Sequence, residues 1–227
     1  RSISEAIDND YQCWYNNTDK SVGLEVIYEM KMEADERKKQ IRQAAIKVFL
    51  DKGFRNTVMN DIMEATGLSR GGLYHHYGST HEILYDIMME GNLNRKDIIQ
   101  KSIYDEGLIL SPQLFSRMII DKMLADNDYV KLYVMFLCEL KENDDLKELY
   151  VKIKKESIQV FKELFSTLFN ELPSDDMFEF MINIMNSGLM ACEILNAREN
   201  FTKNKIYLAE MIETYFINVM KKDDERS

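Results

Sequence analysis

Arg70, Gly71, Tyr74 and His75 recur at spacings that place them on one side of a short helix, within the run Ser69-Arg70-Gly71-Gly72-Leu73-Tyr74-His75-His76-Tyr77. A guanidinium pairs with guanine or phosphate, a phenol and an imidazole donate to phosphate or touch a thymine methyl, and glycines let a backbone approach a ligand closely. Two adjacent glycines cost a helix about 1 kcal/mol each relative to Ala, so helix stability is not what Gly71 and Gly72 serve. Other chemistries find less support. His75, His76 and His81 lack a Cys or carboxylate spaced to complete a tetrahedral set, so neither a metal nor a cofactor is expected. Cys13, Cys138 and Cys192 form no CxxC pair, which fits a reducing, cytoplasmic setting. No nucleophile motif such as GxSxG occurs, so no catalytic residue is assigned and an enzyme is the weakest reading.

The elements around this run can position it. A first helix is expected over 35–52, with Ile41, Ala44, Ala45, Val48 and Phe49 on one face, stopped by Gly53 as a left-handed residue. Thr57 is placed to cap a second helix over 58–65, and Thr66-Gly67-Leu68-Ser69 forms a tight turn into a third, 69–77. Five of the nine glycines fall between Gly53 and Gly78. Such a unit is a helix-turn-helix, two short helices locked at a steep angle by Ile62, Ala65, Leu68 and Leu73 so that the second can enter a major groove. Ser79 and Glu82 form a capping box for a long helix to about residue 104, ended by Gly107 and followed by a Ser111-Pro112 helix start. Further helices read as 128–142, 144–170, 174–196 and 202–221, separated at Asn143-Asp144 and Leu172-Pro173-Ser174.

Residues 37–88, with the pattern AAxxxFxxxGF, Thr57, the unit TGLSRGGLYHHY and the capped entry to a fourth helix, resemble the DNA-binding domain of the TetR family of regulators. The resemblance implies an all-helical homodimer: a three-helix DNA-binding domain followed by a larger antiparallel helical bundle for ligand binding and dimerisation. It implies a palindromic double-stranded operator and release by a small-molecule inducer. Carried onto this chain, the DNA contacts are Thr57, Ser69, Arg70, Gly71, Gly72, Tyr74, His75 and Thr80. The family often has a Lys where Thr80 stands, so that phosphate contact is weakened or passes to His81. Tyr-Phe is common where this chain has His76-Tyr77, and Tyr77 can still fill the apolar position.

Composition agrees with a helical regulator. The 227 residues include two prolines, and 45% are hydrophobic, which suits long helices and a sizeable core. A net charge of −10 excludes a protein that coats nucleic acid indiscriminately, yet residues 37–77 carry a net +5. No apolar run suits a membrane span or signal peptide, so no membrane partner is expected. The chain divides as 1–32, an N-terminal extension; 33–78, the helix-turn-helix domain; and 79–227, the ligand-binding and dimerisation domain. Residues before Met30 show no clear helical period. If Leu24-Glu25-Val26 is a translated ribosome-binding site, translation starts at Met30 or Met32; the rival is a native arm touching DNA or the partner subunit.

Past Met88 the resemblance fades, and what remains is a bundle with ligand-pocket candidates Tyr104, Phe115, Met118, Tyr133, Phe136, Tyr150, Met185 and Met190, each of which also reads as ordinary core. Glu139, on a face with Leu132 and Phe136, could meet a cationic ligand, pair with a Lys or lie in water. Two apolar stripes, Phe178, Met181, Ile182, Met185 and Leu208, Met211, Ile212, Tyr215, Phe216, suit either a dimer surface or the intramolecular core. An adaptor of the same fold that recruits a protein is the alternative to a ligand-responsive regulator.

Overall fold

Helix termini in this chain are written in its capping residues, and the computed structural model follows most of them. It describes residues 20–106, 111–166 and 174–224, so the expectations for residues 1–19, for Gly107 and for Leu172-Pro173 lie outside the described residues. The elements are α1 (Lys20–Lys52), a 3-10 turn (Phe54–Asn56), α2 (Met59–Thr66), α3 (Arg70–His76), α4 (Thr80–Glu106), α5 (Pro112–Leu124), α6 (Asp128–Glu139), a second 3-10 turn (Leu140–Glu142), α7 (Asp144–Ser166), α8 (Asp175–Ile194), α9 (Arg198–Lys203) and α10 (Lys205–Asp224). The fold is all-α, with no strand among the described residues. None of the described helices is long and apolar enough to cross a membrane.

Ser69, Ser111, Asn127, Asn143 and Ser174 each accept a backbone N–H three residues on, satisfying one of the donors a helix start leaves without a partner. Ser79 Oγ accepts from Glu82 N–H at 3.2 Å, and the Glu82 carboxylate reaches back to Gly78 N–H at 2.8 Å. Pro112 occupies the first turn of α5. Gly67 ends α2 at φ 68°, and Gly53 ends α1 at φ 78° but with ψ 151°, a positive-φ extended conformation instead of the left-handed helical one expected.

Three local expectations are corrected. First, α1 begins at Lys20, well before residue 35, because Leu24, Glu25, Glu29, Met30, Lys31 and Met32 are good helix formers with no Pro among them, and propensity extends a helix without a repeating stripe. Second, Thr57 does not cap α2. It is buried, with Oγ1 donating to Gly53 O at 2.9 Å, while Val58 takes the cap position and its N–H donates to Asp61 Oδ2 at 2.8 Å. Third, Ala65 is exposed, so the lock between α2 and α3 rests on Ile62, Leu68 and Leu73.

Two apolar cores stack along the molecule. The first joins Ile41, Ala45 and Phe49 of α1, Ile62 and Leu73 to Ile83, Leu84 and Ile87 of α4, and continues into Leu132 and Phe136 of α6 and Leu146 of α7. The sequence division at residue 78 is therefore no gap in packing. The second gathers Phe115, Ile120 and Met123 of α5, Met177, Phe178, Met181 and Met185 of α8, and Ile212 and Phe216 of α10. Five residues of the expected dimer stripes, Phe178, Met181, Met185, Ile212 and Phe216, thus belong to the chain's own core, whereas Phe180, Ile184, Ile206, Tyr207 and Met211 are exposed.

The two glycines flanking the turn predict opposite effects. Gly67→Ala meets no atom within 4 Å but forces a positive φ on an L side chain, and should lower unfolding free energy by about 1–2 kcal/mol. Gly71→Ala, also unobstructed and inside α3, should raise it by up to about 1 kcal/mol. Urea denaturation of both variants checks the pair of signs.

Candidate nucleic-acid interface

A helix of seven residues is too short to persist alone, so α3 is held by what lies under it and after it. Leu73 is fully buried with Ile62 and Phe49, and Tyr77 follows it into the same core. With Leu73 inward, the helical period turns Arg70, Gly71, Tyr74 and His75 to solvent. Tyr74 keeps 45% of its surface exposed. The Arg70 guanidinium lies over the Tyr74 ring, 5.6 Å from its centroid, which orients both groups outward together. Ser69 Oγ accepts from Gly72 N–H, leaving its own proton to donate elsewhere. A Cβ at Gly72 would sit 3.3 Å from that oxygen, so Gly72 makes room for the cap, whereas Gly71 leaves the outer surface bare.

Tyr77 is the hinge pin of the arrangement. Its hydroxyl donates to Asp86 Oδ2 at 2.9 Å and accepts from Arg42 Nη1 at 3.2 Å, while Arg42 Nε and Nη2 bond Glu90 at 2.8 and 3.1 Å. Burial, with the Asp86 carboxylate, pushes the phenol up to about 12. Burial alone would lower the Arg42 guanidinium, but the bonds to Glu90 and Tyr77 outweigh it and hold it above its ordinary value. One half-buried cation thereby ties α1 to α4 and to the end of α3.

The basic segment is partly consumed this way. Besides Arg42, Lys52 pairs with Asp61 at 2.6 Å, Arg55 with Glu142 at 3.5 Å and Glu139 at 3.8 Å, and Lys38 approaches Asp86 at 4.0 Å. Arg37, Lys47 and Arg70 remain exposed and without an ion pair among the described residues. Thr57, expected as a DNA contact, is buried, and its hydroxyl is spent on Gly53 O. Thr80 is half-buried at the start of α4. His81 does not take over from it, since its ring packs edge-on against Phe54 at 5.0 Å with Nε2 buried.

The pocket candidates separate into different places. Phe115, Met118 and Met185 line an apolar cavity with Met181, Phe161 and Phe216, between α5, α7, α8 and α10. Tyr133 and Tyr150 instead meet at Asn186. Tyr133 OH donates to Asn186 Oδ1 at 3.1 Å, Asn186 Nδ2 donates to Tyr150 OH at 3.1 Å, and Phe136 packs between the two rings. Met190 packs against the second core, and the side chain of Tyr104 lies outside the described residues. Glu139 lies 3.8 Å from Arg55 Nε and pairs with no Lys among the described residues. It accepts from the N–H groups of Phe54 and Arg55; burial pushes its carboxyl up, and Arg55 and those donors pull it back. Asn186 and the Arg42–Glu90 pair escaped sequence reasoning, because nothing local marks which polar residue a tertiary contact will bury.

A family model described as bacterial regulatory proteins, tetR family, matches residues 41–87, the segment from the buried stripe of α1 through α4's first turns. This helix-turn-helix segment is similar to the tetR family of bacterial regulators. It is 43% identical over 61 residues, 27% of its own length and 30% of the relative's, to the uncharacterized HTH-type transcriptional regulator YfiR of Bacillus subtilis. The chain spans less than half the length of the curated relatives it matches. Among solved structures it is similar to Salmonella enterica GusR, with TM-score 0.60, 18% identity and coverage of 82% of this chain and 96% of that one. It is also similar to Bacillus subtilis FadR in complex with stearoyl-CoA, with TM-score 0.58, 14% identity and coverage of 77% and 96%. At these identities the structural likeness bears on the fold.

Helix α3 carries a titrating group. Burial holds the His76 imidazole below 6.5, and the positive neighbours His75, Lys38 and Arg37 act in the same direction. The folded chain therefore binds fewer protons than the unfolded one just below pH 6.5, and stability is lost as pH falls through that value toward the depressed folded one. His76→Gln should flatten the fall in urea midpoint between about pH 7 and pH 5; an unchanged slope would show that other groups govern it.

Proposed function

We propose that this chain is a DNA-binding transcription regulator, acting as a homodimer on a palindromic operator and released from it by a small molecule. The observation that carries the reading is the outward set of Arg70, Gly71, Tyr74 and His75 on a short helix whose single inward residue, Leu73, is locked in the core. A guanidinium, a phenol and an imidazole beside a bare backbone suit a major groove and its phosphate edges, and nothing else on this surface requires them. Exposed Arg37 and Lys47 add cations on α1.

The homodimer is supported by the apolar side chains left outside, Phe180 and Ile184 on α8 with Tyr207 and Met211 on α10; Phe180 and Tyr215 stack across the two helices at 4.7 Å. A two-fold pair of recognition helices must sit one DNA turn, about 35 Å, apart to read a palindrome. Ligand response is supported by the methionine-walled cavity and by two ties from the inner helices to the DNA-binding unit: Glu90 of α4 to Arg42, and Glu139 of α6 to the Phe54–Asn56 turn. A ligand with different affinities for two settings of α4 and α6 changes the spacing of the recognition helices through these ties. The apolar, methionine- and phenylalanine-lined cavity supports a small molecule as the effector.

Anisotropy titration against the upstream intergenic DNA at fixed salt tests the reading. Arg70→Ala and Tyr74→Ala should each weaken specific binding about 10- to 100-fold with unfolding midpoints unchanged. Equal binding by wild type and both variants would reject the proposed interface.

A further inference from the structure

The apolar cavity between α5, α7, α8 and α10 has a volume of about 70 Å³. Among the described residues its lining is made only of methionine, phenylalanine and isoleucine, so no side chain there carries an oxygen or a nitrogen. A polar or charged group placed in it loses its water and finds no side-chain partner in exchange. An ordered water, which needs several polar partners, finds none among these side chains either. The cavity therefore selects by exclusion, and its occupant carries neither a charge nor a hydrogen-bonding group. The lining is uneven in depth. Met177, Met181 and Met185 of α8 are buried, whereas Met118 of α5, Phe161 of α7 and Ile182 of α8 are half-buried, so the cavity reaches the surface on their side.

Size narrows the class further. An apolar cavity of about 150 Å³ accommodates one benzene ring, so a space about half that size takes at most a single ring, and only if its walls yield. These walls are of the yielding kind. Met118, Met177, Met181 and Met185 are unbranched thioethers that re-settle by small rotations, and Met118 has solvent on one side. Thioether sulfur meets the edge of an aromatic ring favourably, and the lining already holds rings in tilted contact, with Phe115 and Phe216 at 5.6 Å and 39°. A flat π system among such groups makes contacts that a saturated ring of equal size does not. Phe161 links the cavity to the rest of the molecule. It belongs to α7, which about two turns earlier buries Ile153, and about two turns before that Leu146, in the core shared with α1 and α4.

We infer that this cavity is the effector site for an uncharged, single-ring aromatic hydrocarbon of about the size of benzene, held by the methionines of α8 and admitted past Met118 and Phe161. The site deepens the ligand response proposed above and rests on that reading for its use. A ring lodged against Phe161 bears on α7, the helix whose Leu146 and Ile153 pack in the same core as Ile62 and Leu73 of the helix-turn-helix unit.

Calorimetric titration of the full chain in a sealed cell, without DNA, with benzene, cyclohexane, phenol and benzoate reads the class. Benzene should saturate with a dissociation constant below about 1 mM. Phenol should bind at least about tenfold more weakly for its one hydroxyl, benzoate should give no saturable heat, and cyclohexane should bind more weakly than benzene. Met181→Phe fills the space from the buried wall and Met118→Trp from the half-buried side. Each variant that keeps its helix content and unfolding midpoint should bind benzene at least about tenfold more weakly. Absence of saturable benzene binding, or benzene affinity unchanged in the folded variants, overturns the site. Phenol or benzoate binding as tightly as benzene overturns the exclusion of polar groups, and tighter binding of cyclohexane overturns the aromatic assignment. Specific DNA binding without benzene binding rejects this site alone, and benzene binding without DNA binding rejects the regulator reading alone.

Discussion

The orientation of α3 depends on where the Arg42 guanidinium is held. Three partners, Glu90, Tyr77 and through Tyr77 the Asp86 carboxylate, converge on it from α4 and from the residue just after α3. A half-buried ion pair of this kind adds little net stability, because desolvation offsets much of its attraction, but it tolerates few alternative geometries. Seven residues of helix with one buried anchor could tilt over a range of angles. Tyr77, fixed at its ring by the core and at its oxygen by Arg42 and Asp86, removes that range. The same guanidinium makes α4 part of the helix-turn-helix unit's foundation, since Glu90 and Asp86 both belong to that helix.

A second foundation lies under the opposite end of α1. The Phe54–Asn56 turn rests on the C-terminal end of α6, where Glu139 accepts its N–H groups and Phe54 packs against Phe49 and His81. Phe136 and Leu132 extend the same core upward, one turn and two turns back along α6. The inner helices therefore reach the helix-turn-helix unit at two separated points, one polar and half-buried, one at a helix end.

The legible parts of this fold are those with local causes. Ser79 with Glu82, Ser111 with Pro112, Ser174 and the positive-φ Gly67 act within a few residues of themselves, and the structure uses each as read. The outward face of α3 was legible for the same reason, since the position of Leu73 decides it. Partners distant in the chain were not legible. Arg42 counts as one more base in a basic stretch until Glu90 is beside it, and Glu139 reads as a surface acid until the Phe54–Asn56 turn arrives. The stripes of α8 and α10 were apolar as read, but an apolar stripe does not name the surface that covers it, and α5 covers most of theirs. Thr57 shows the same limit at short range. A threonine before a helix can cap it or bond backward, and Gly53 O, left open by the glycine's extended backbone, settled the competition.

Gly71 has a consequence for how such a protein changes over generations. Apart from its own stretch of helix backbone, nothing lies within 4 Å of where its side chain would begin, and its backbone is ordinary helix. Any residue introduced there projects away from the molecule and is judged by the surface it is brought against. Most positions on a packed helix entangle a new interaction with folding, so that novelty is filtered first by stability. At this one the two are separable, and a lineage could revise which sequences it tolerates by single substitutions while its interior stays untouched.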